Sequence, residues 1–271
     1  MSLIPYSNRH AVQSAALVVG FHQEVDLGHA SALAQAAQER LKAVLPNRKE
    51  IQTITFQFGA AVPQHNSSSI GGWEFIDNFS PNEVVNGVTT RRSASVVEHR
   101  LIITENSYNR WAHFSDFVSS VFEALSDIAF ERRSVRDIAL AYADSFTWKD
   151  APEKIVAADV FSRESIFLPA NVFGVGSKLF HATHGFFVGS GVEDAQSLIE
   201  NVNVTRMRKD SAQYDTFSIN TEHRLVVDRQ MYGTEGRKFV EAQLEMLHQR
   251  NKAVLSNLLT QDVKEMIKLG G

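Results

Sequence analysis

The tetrapeptide Glu-His-Arg-Leu occurs twice, at Glu98–Leu101 and at Glu222–Leu225, and a long amphipathic helical pattern follows each copy. No other feature constrains the fold as much, because the agreement continues past the tetrapeptide. EHRLIITENSY (98–108) lies against EHRLVVDRQMY (222–232) with two further apolar positions and a final tyrosine in common. With two extra residues allowed in the linker from Gly233 to Gly236, Phe114, Val118, Val121 and Ile128 align with Val240, Leu244, Leu247 and Val254. A strand-plus-helix unit used twice is the simplest reading, with an internal duplication as its origin. An antiparallel sheet buries one face beneath helices and leaves the other to solvent or a twin. The expected class is therefore α+β, in two structurally similar halves, each an antiparallel sheet covered by a long helix. The halves are 1–150 and 151–271, packed as one compact unit and divided near Asp150-Ala151-Pro152.

Local patterns fill in this outline. Residues 15–25 are β-branched and aromatic and read as a strand, and 29–45 are strong helix formers stopped by Pro46-Asn47. In 53–58, Ile54, Phe56 and Phe58 alternate with polar residues at period two, the mark of a half-buried strand. Gln64–Gly72 reads as a polar loop, and Thr89–Thr104 as one bent strand or two paired ones. Helical spacing over 109–130 is followed by a strand at 135–148. In the second half, strands are expected at 180–189, 200–208 and 215–228. A long helix follows from about Gly236, and Thr260 caps a last short helix that Gly270 ends.

Composition narrows the function classes. The chain has 271 residues, is 44% hydrophobic and 21% charged, and lacks cysteine, so it can bury an ample core but cannot use disulfides, thiolate metal sites or a cysteine nucleophile. The N-terminus lacks an export pattern and no window approaches the roughly 20 apolar residues of a membrane span, so cytoplasmic localisation without membrane insertion is expected. A net charge of -4 gives no global attraction for phosphate backbones. The clusters Arg91-Arg92, Arg132-Arg133-Arg136 and Arg206-Arg208-Lys209 read as solvated charges at element ends, so nucleic-acid binding is the third-ranked function.

Chemistry-bearing motifs are sparse. His181 and His184 resemble a metal pair, but three-residue spacing on a strand sends them to opposite faces, so no metal site or cofactor is expected. The turns at Gly174–Ser177 and Gly189–Gly191 complete no phosphate-binding loop, Glu193 and Asp194 would repel an anion after the second, and no GxSxG elbow occurs. His99 is expected to share a strand face with Val97, Leu101 and Ile103, and His223 with Ile219, Leu225 and Val227. Glu98 with Arg100, and Glu222 with Arg224, then occupy the opposite faces. In the aligned helices, His248 and Asn251 stand where the first half has Phe122 and Leu125. Buried polar groups of this kind need partners and gather at sites. His99, His223, His248 and Asn251 are therefore the candidate lining of a cleft, the two strand histidines meeting near a pseudo-twofold axis as carriers of protons near neutral pH.

An ordered set of segments resembles a sporadically distributed bacterial family of uncharacterised proteins of similar length. It comprises the strand and helix of 15–45, Gly72-Trp73-Glu74-Phe75, Tyr108-Asn109-Arg110-Trp111, Ile138–Tyr142, and Leu247-His248 through Leu259-Thr260 to Gly271. The chain departs from that pattern at Ala141-Tyr142-Ala143-Asp144, where the family has a more polar ending. The resemblance implies no catalytic residues. Sporadic distribution implies a mobile or defence-type system with a genetically linked protein partner. The favoured expectation is thus a non-enzymatic cytoplasmic binding or interaction protein with a protein partner. The alternative is a small-ligand binder or enzyme with a histidine-lined pocket.

Overall fold

The computed structural model describes residues 2–7, 10–55, 67–84, 87–151, 155–174, 179–189, 191, 195–208 and 214–269, with backbone alone at 53–55, 67–69 and 196. Phe56 and Phe58, Pro152, Val175–Ser177, Ser190, Glu193, Asp194, Lys209 and Gly270 lie outside the described residues.

The strands are β1 (Leu3–Pro5), β2 (Val12–Phe21), β3 (Asn47–Thr55), β4 (Ser67–Asn78), β5 (Thr90–Val97), β6 (Arg100–Glu105), β7 (Val135–Trp148), β8 (Phe180–Val188), β9 (Ala195–Arg208) and β10 (Asp215–Val227). The helices are α1 (Leu27–Leu41), α2 (Trp111–Ala129), α3 (Ala157–Val160), α4 (Gly233–Leu258) and α5 (Gln261–Met266). All the strands belong to one antiparallel sheet of order β3-β4-β5-β6-β2-β7-β10-β9-β8, with β1 pairing β7 beyond the end of β2. The fold is α+β. The expectation of a separate sheet in each half is corrected here: β7 bonds to β2 along one edge and to β10 along the other, which fuses the strands into one layer.

Period-two burial along β10 (Phe217, Ile219, Thr221, His223, Leu225) shows how the sheet presents one face to the helices. In α2, Phe114, Phe117, Val118, Val121, Phe122 and Leu125 recur at helical spacing and are buried. Alanines 30, 34 and 37 form the buried stripe of α1, which Asp26 caps by accepting from His29 N at 3.1 Å. Helices α1, α2 and α4 pack in sequence beside one another on this face. Near β8–β10, a second apolar cluster joins Phe161, Phe167, Val202 and Phe217 to Leu258 and Val263.

Outward from the central β2–β7 pair, the two arms of the sheet have the same order. One arm runs β6, β5, β4 and the other β10, β9, β8, each a meander read backwards. The register makes the likeness sharper. Val96, Leu101, Val19, Ile138, Leu225 and Leu198 are consecutive ladder partners in one buried row, and the leucines of the two EHRL copies stand symmetrically in it.

Several local expectations need revision. Ser67–Gly72 belongs to β4 rather than a loop, because hydrogen bonding to β3 and later to β5 overrides a Ser/Gly-rich composition. Glu98 and His99 form the two-residue β5–β6 turn, with Glu98 at φ 33°, so His99 is not on a strand face with Leu101. Arg133 is not solvated: it is 2% exposed and lies 3.9 Å over the Phe21 ring, and burial lowers its pKa to about 10.

Among the described residues, no helix lies on the opposite face of the sheet. Around β2, β7, β10 and β9 it is lined by Ser14, Ala16, Ala141, Ala143, Asn203 and Asn220, above hollows of about 410 and 390 Å³. Among the described residues no helix is long and apolar enough to cross a membrane.

Candidate functional site

Strand β7 places Ile138, Leu140, Tyr142, Asp144 and Phe146 toward the helices, since each is the ladder partner of a helix-facing residue of β10. All are buried, and Asp144 is the carboxyl in that series. Its position follows from a break in the neighbouring strand: β2 pairs β7 only as far as Val12↔Asp144, and β1 resumes at Pro5↔Phe146. The ladder to β7 is interrupted between these two pairs, and His10 joins Tyr108, Tyr142, Asp144, His248 and Asn251 in lining a cavity of about 220 Å³.

Asp144 is 2% exposed, and among the described residues its Oδ2 has no hydrogen-bond partner. Burial alone raises its pKa from 3.8 to about 7, since a carboxylate loses hydration there without gaining a compensating donor. Above it, Tyr142 Oη bonds His248 Nδ1 at 2.9 Å. The His248 ring stacks on Trp111 with centroids 4.2 Å apart and planes within 3°. Trp111 Nε1 in turn donates to Glu245 Oε2 at 2.6 Å. Desolvation holds the His248 pKa down at about 4, with Glu245 opposing and Lys252 adding to the effect, so its imidazole is neutral at pH 7. Burial raises the Tyr142 and Tyr108 hydroxyl pKa values, which keeps both phenols protonated. Tyr108 packs edge-on against Tyr142 and His10 at 6.0 and 5.7 Å. The cavity is thus aromatic in its walls and polar at its base, where its one carboxyl lies. Arg110, Lys252 and Lys268 supply cations along the same lining.

Of the four residues singled out in the sequence, His248 and Asn251 line this cavity, and Asn251 Oδ1 accepts from Thr221 Oγ1 at 2.6 Å. His223 is fully buried on the expected strand face but belongs to another network: its Nδ1 lies 3.2 Å from Glu200 Oε1, which also accepts from Arg250 Nε at 2.8 Å. Burial disfavours the Glu200 charge, but hydrogen bonds from His223 and Arg250 outweigh it and hold the carboxyl at about 2. His99 sits at the β5–β6 turn, 3.4 Å from Glu24. The two strand histidines therefore do not meet in a shared cleft. Arg224 pairs with Glu222 at 3.1 Å on the outer face, as expected. His181 and His184, at odd spacing on β8, point to opposite faces.

The residues that sequence reasoning missed are His10, Tyr142 and Asp144. The signal for Asp144 was present: in IALAYADSF, residues two apart place it in register with Ile138, Leu140 and Phe146, an acid on an otherwise inward series. The basic clusters are largely engaged: Arg91 pairs with Glu83, Arg92 with Glu105, Arg132 with Asp26, Arg136 with Asp137 and Arg206 with Asp215. A scan against protein-family models and a search of curated proteins find no match for this chain.

Proposed function

We propose that this is a binding protein whose ligand site is the cavity between β7 and α4, the small-ligand alternative drawn from the sequence. The observation that carries it is the Asp144 carboxyl, buried without an Oδ2 partner among the described residues, on the lining of a cavity rather than inside close-packed core. A partnerless buried carboxyl is costly, and such groups persist where a ligand completes them. The test is a small-fragment screen on the intact protein by ligand-observed NMR, repeated on Leu255→Trp, which fills the cavity. Hits lost in that variant support the reading, and a screen without cavity-dependent hits rejects it.

A second reading, a protein partner on the helix-free sheet face, is favoured by that face's lining of small and amide side chains, Ser14, Ala16, Ala141, Ala143, Asn203 and Asn220, with Glu222 beside them. Resemblance to a sporadically distributed bacterial family supports a genetically linked cytoplasmic partner. Co-purification from the native host at near-physiological salt tests it: a partner lost on Ala141→Glu supports it, and repeated recovery of the protein alone counts against it. For nucleic acid, paired arginines leave little free positive charge, and absence of binding at low salt would dispose of that option. The matched arm order and the shared apolar row support an internal duplication as the origin of the halves.

A further inference from the structure

We infer that the ligand is a small zwitterion of the amino-acid kind, its ammonium beside Asp144 and its acid group toward the cations of the cavity lining. The inference rests on the cavity being a ligand site and goes on to name what it takes.

The charges are arranged for two ends. Asp144, on β7 at the β1–β2 break, is the anion of the lining, and Arg110, Lys252 and Lys268 are its cations. Among the described residues none of these cations forms an ion pair within 4.0 Å, although Lys252 lies close enough to Glu245 to act on it through space. They come from three separate places: the residue before α2, the second half of α4, and the segment after α5. Arg110 and Lys268 are exposed while Asp144 is buried, so the positive end faces the mouth and the negative end the base.

A ligand with only an acid group would satisfy the mouth and leave Asp144 without a partner. A ligand with only an amine would satisfy Asp144 and bring a further positive charge beneath three cations. A molecule carrying both fits. Asp144 is only 2% exposed in the folded protein, so an ammonium placed beside it gains a charge-assisted hydrogen bond with little further desolvation of the carboxyl. Tyr108, Tyr142 and Trp111 add aromatic rings to the same lining. A cavity of about 220 Å³ limits the guest to amino-acid size, below the roughly 300 Å³ at which drug-sized pockets begin.

The experiment is calorimetric titration of the full chain at pH 7 with the twenty common free amino acids. The deaminated acid and the decarboxylated amine of each are run beside them, with Asp144→Asn and Lys252→Ala as variants. The expected result is at least one amino acid that binds at least tenfold more tightly than both of its analogues and loses at least tenfold in each variant. Acids that bind as well as their amino acids, and equally to Asp144→Asn, overturn the zwitterion while leaving the ligand reading standing. If nothing in the set binds and the fragment screen also gives no cavity-dependent hit, both fall.

Discussion

Asp144→Asn keeps the shape of the side chain and removes its titration. Because burial raises the folded pKa, the acid works against folding at neutral pH. Below pH 3.8 the carboxyl is protonated in both folded and unfolded chains and contributes nothing. Between 3.8 and about 7 the folded chain keeps a proton that the unfolded chain has lost, so stability falls as pH rises. Above about 7 the full penalty applies. The interval from 3.8 to about 7, at about 1.4 kcal/mol per pH unit, sets a ceiling of roughly 4 kcal/mol. Water entering the cavity returns part of this, so we expect Asp144→Asn to gain about 1–3 kcal/mol over wild type between pH 4 and pH 8. Urea unfolding of both proteins at several pH values measures the difference, and other groups cancel in it. A difference that is flat across this range would show that Asp144 is solvated or ion-paired, and the physical basis of the site would go with it.

Asp215 accepts from Arg206 Nε at 2.8 Å and Arg208 Nε at 2.7 Å while fully buried. Asp215→Ala should therefore cost about 3–5 kcal/mol in urea unfolding at pH 7, and a loss under about 1 would refute the pair's role. Glu200 behaves oppositely to Asp144: its folded pKa near 2 lies below the unfolded 4.5, so its contribution is complete above 4.5 and is lost as pH falls toward 2. Glu200→Gln should flatten the acid side of the stability profile in that window, and an unchanged acid limb would contradict the network with His223 and Arg250. At Gly72, φ is +155° and an added Cβ would lie 2.1 Å from Val96 O, so Gly72→Ala should lose at least about 2 kcal/mol by thermal unfolding. A near-neutral result would mean that the β4–β5 ladder yields at that point.

Much of the fold was readable because periodicity survives in buried elements: β7 and α2 lie within two residues of their expected bounds. What escaped was governed by neighbours. Strand β3 carries Arg48, Lys49 and Glu50 on a sheet edge, where charge guards against aggregation and hides the strand signal. The Ser/Gly-rich start of β4 looks like a loop until the ladder to β3 holds it, with β5 joining from Gly72 on. His99 was misplaced because EHRL in its first copy begins inside a turn, and nothing local distinguishes that from a continuous strand. The site was half readable: His248 and Asn251 declared themselves as polar residues on an apolar helical stripe. The arrival of His10 depends on where β2 stops pairing with β7, a register that no single segment encodes.

The asymmetry between the arms of the sheet predicts which substitutions separate stability from binding. From the row through Val19 and Ile138 toward Trp148, β6 ends at Glu105 opposite Ala15 and β2 starts at Val12 opposite Asp144, whereas β7 and β10 run on together to Trp148 and Asp215. The shared rows are closed apolar core, whereas Tyr142 and Asp144 lie on the rows where β6 and then β2 run out, with Thr221 of β10 opposite Tyr142, under the stretch of α4 that carries His248 and Asn251. Ile138→Ala should then lose about 2–5 kcal/mol of stability, the cost of a buried branched side chain, with ligand affinity unchanged in the molecules that remain folded. Tyr142→Phe removes only the hydroxyl that bonds His248, so it should cost about 1 kcal/mol of stability and weaken the ligand several-fold. Urea unfolding and titration of the two variants with a cavity ligand make the comparison. If Ile138→Ala weakens binding as much as Tyr142→Phe does, the strand-end rows and the core act as one unit, and the site cannot be assigned to the asymmetric part of the sheet.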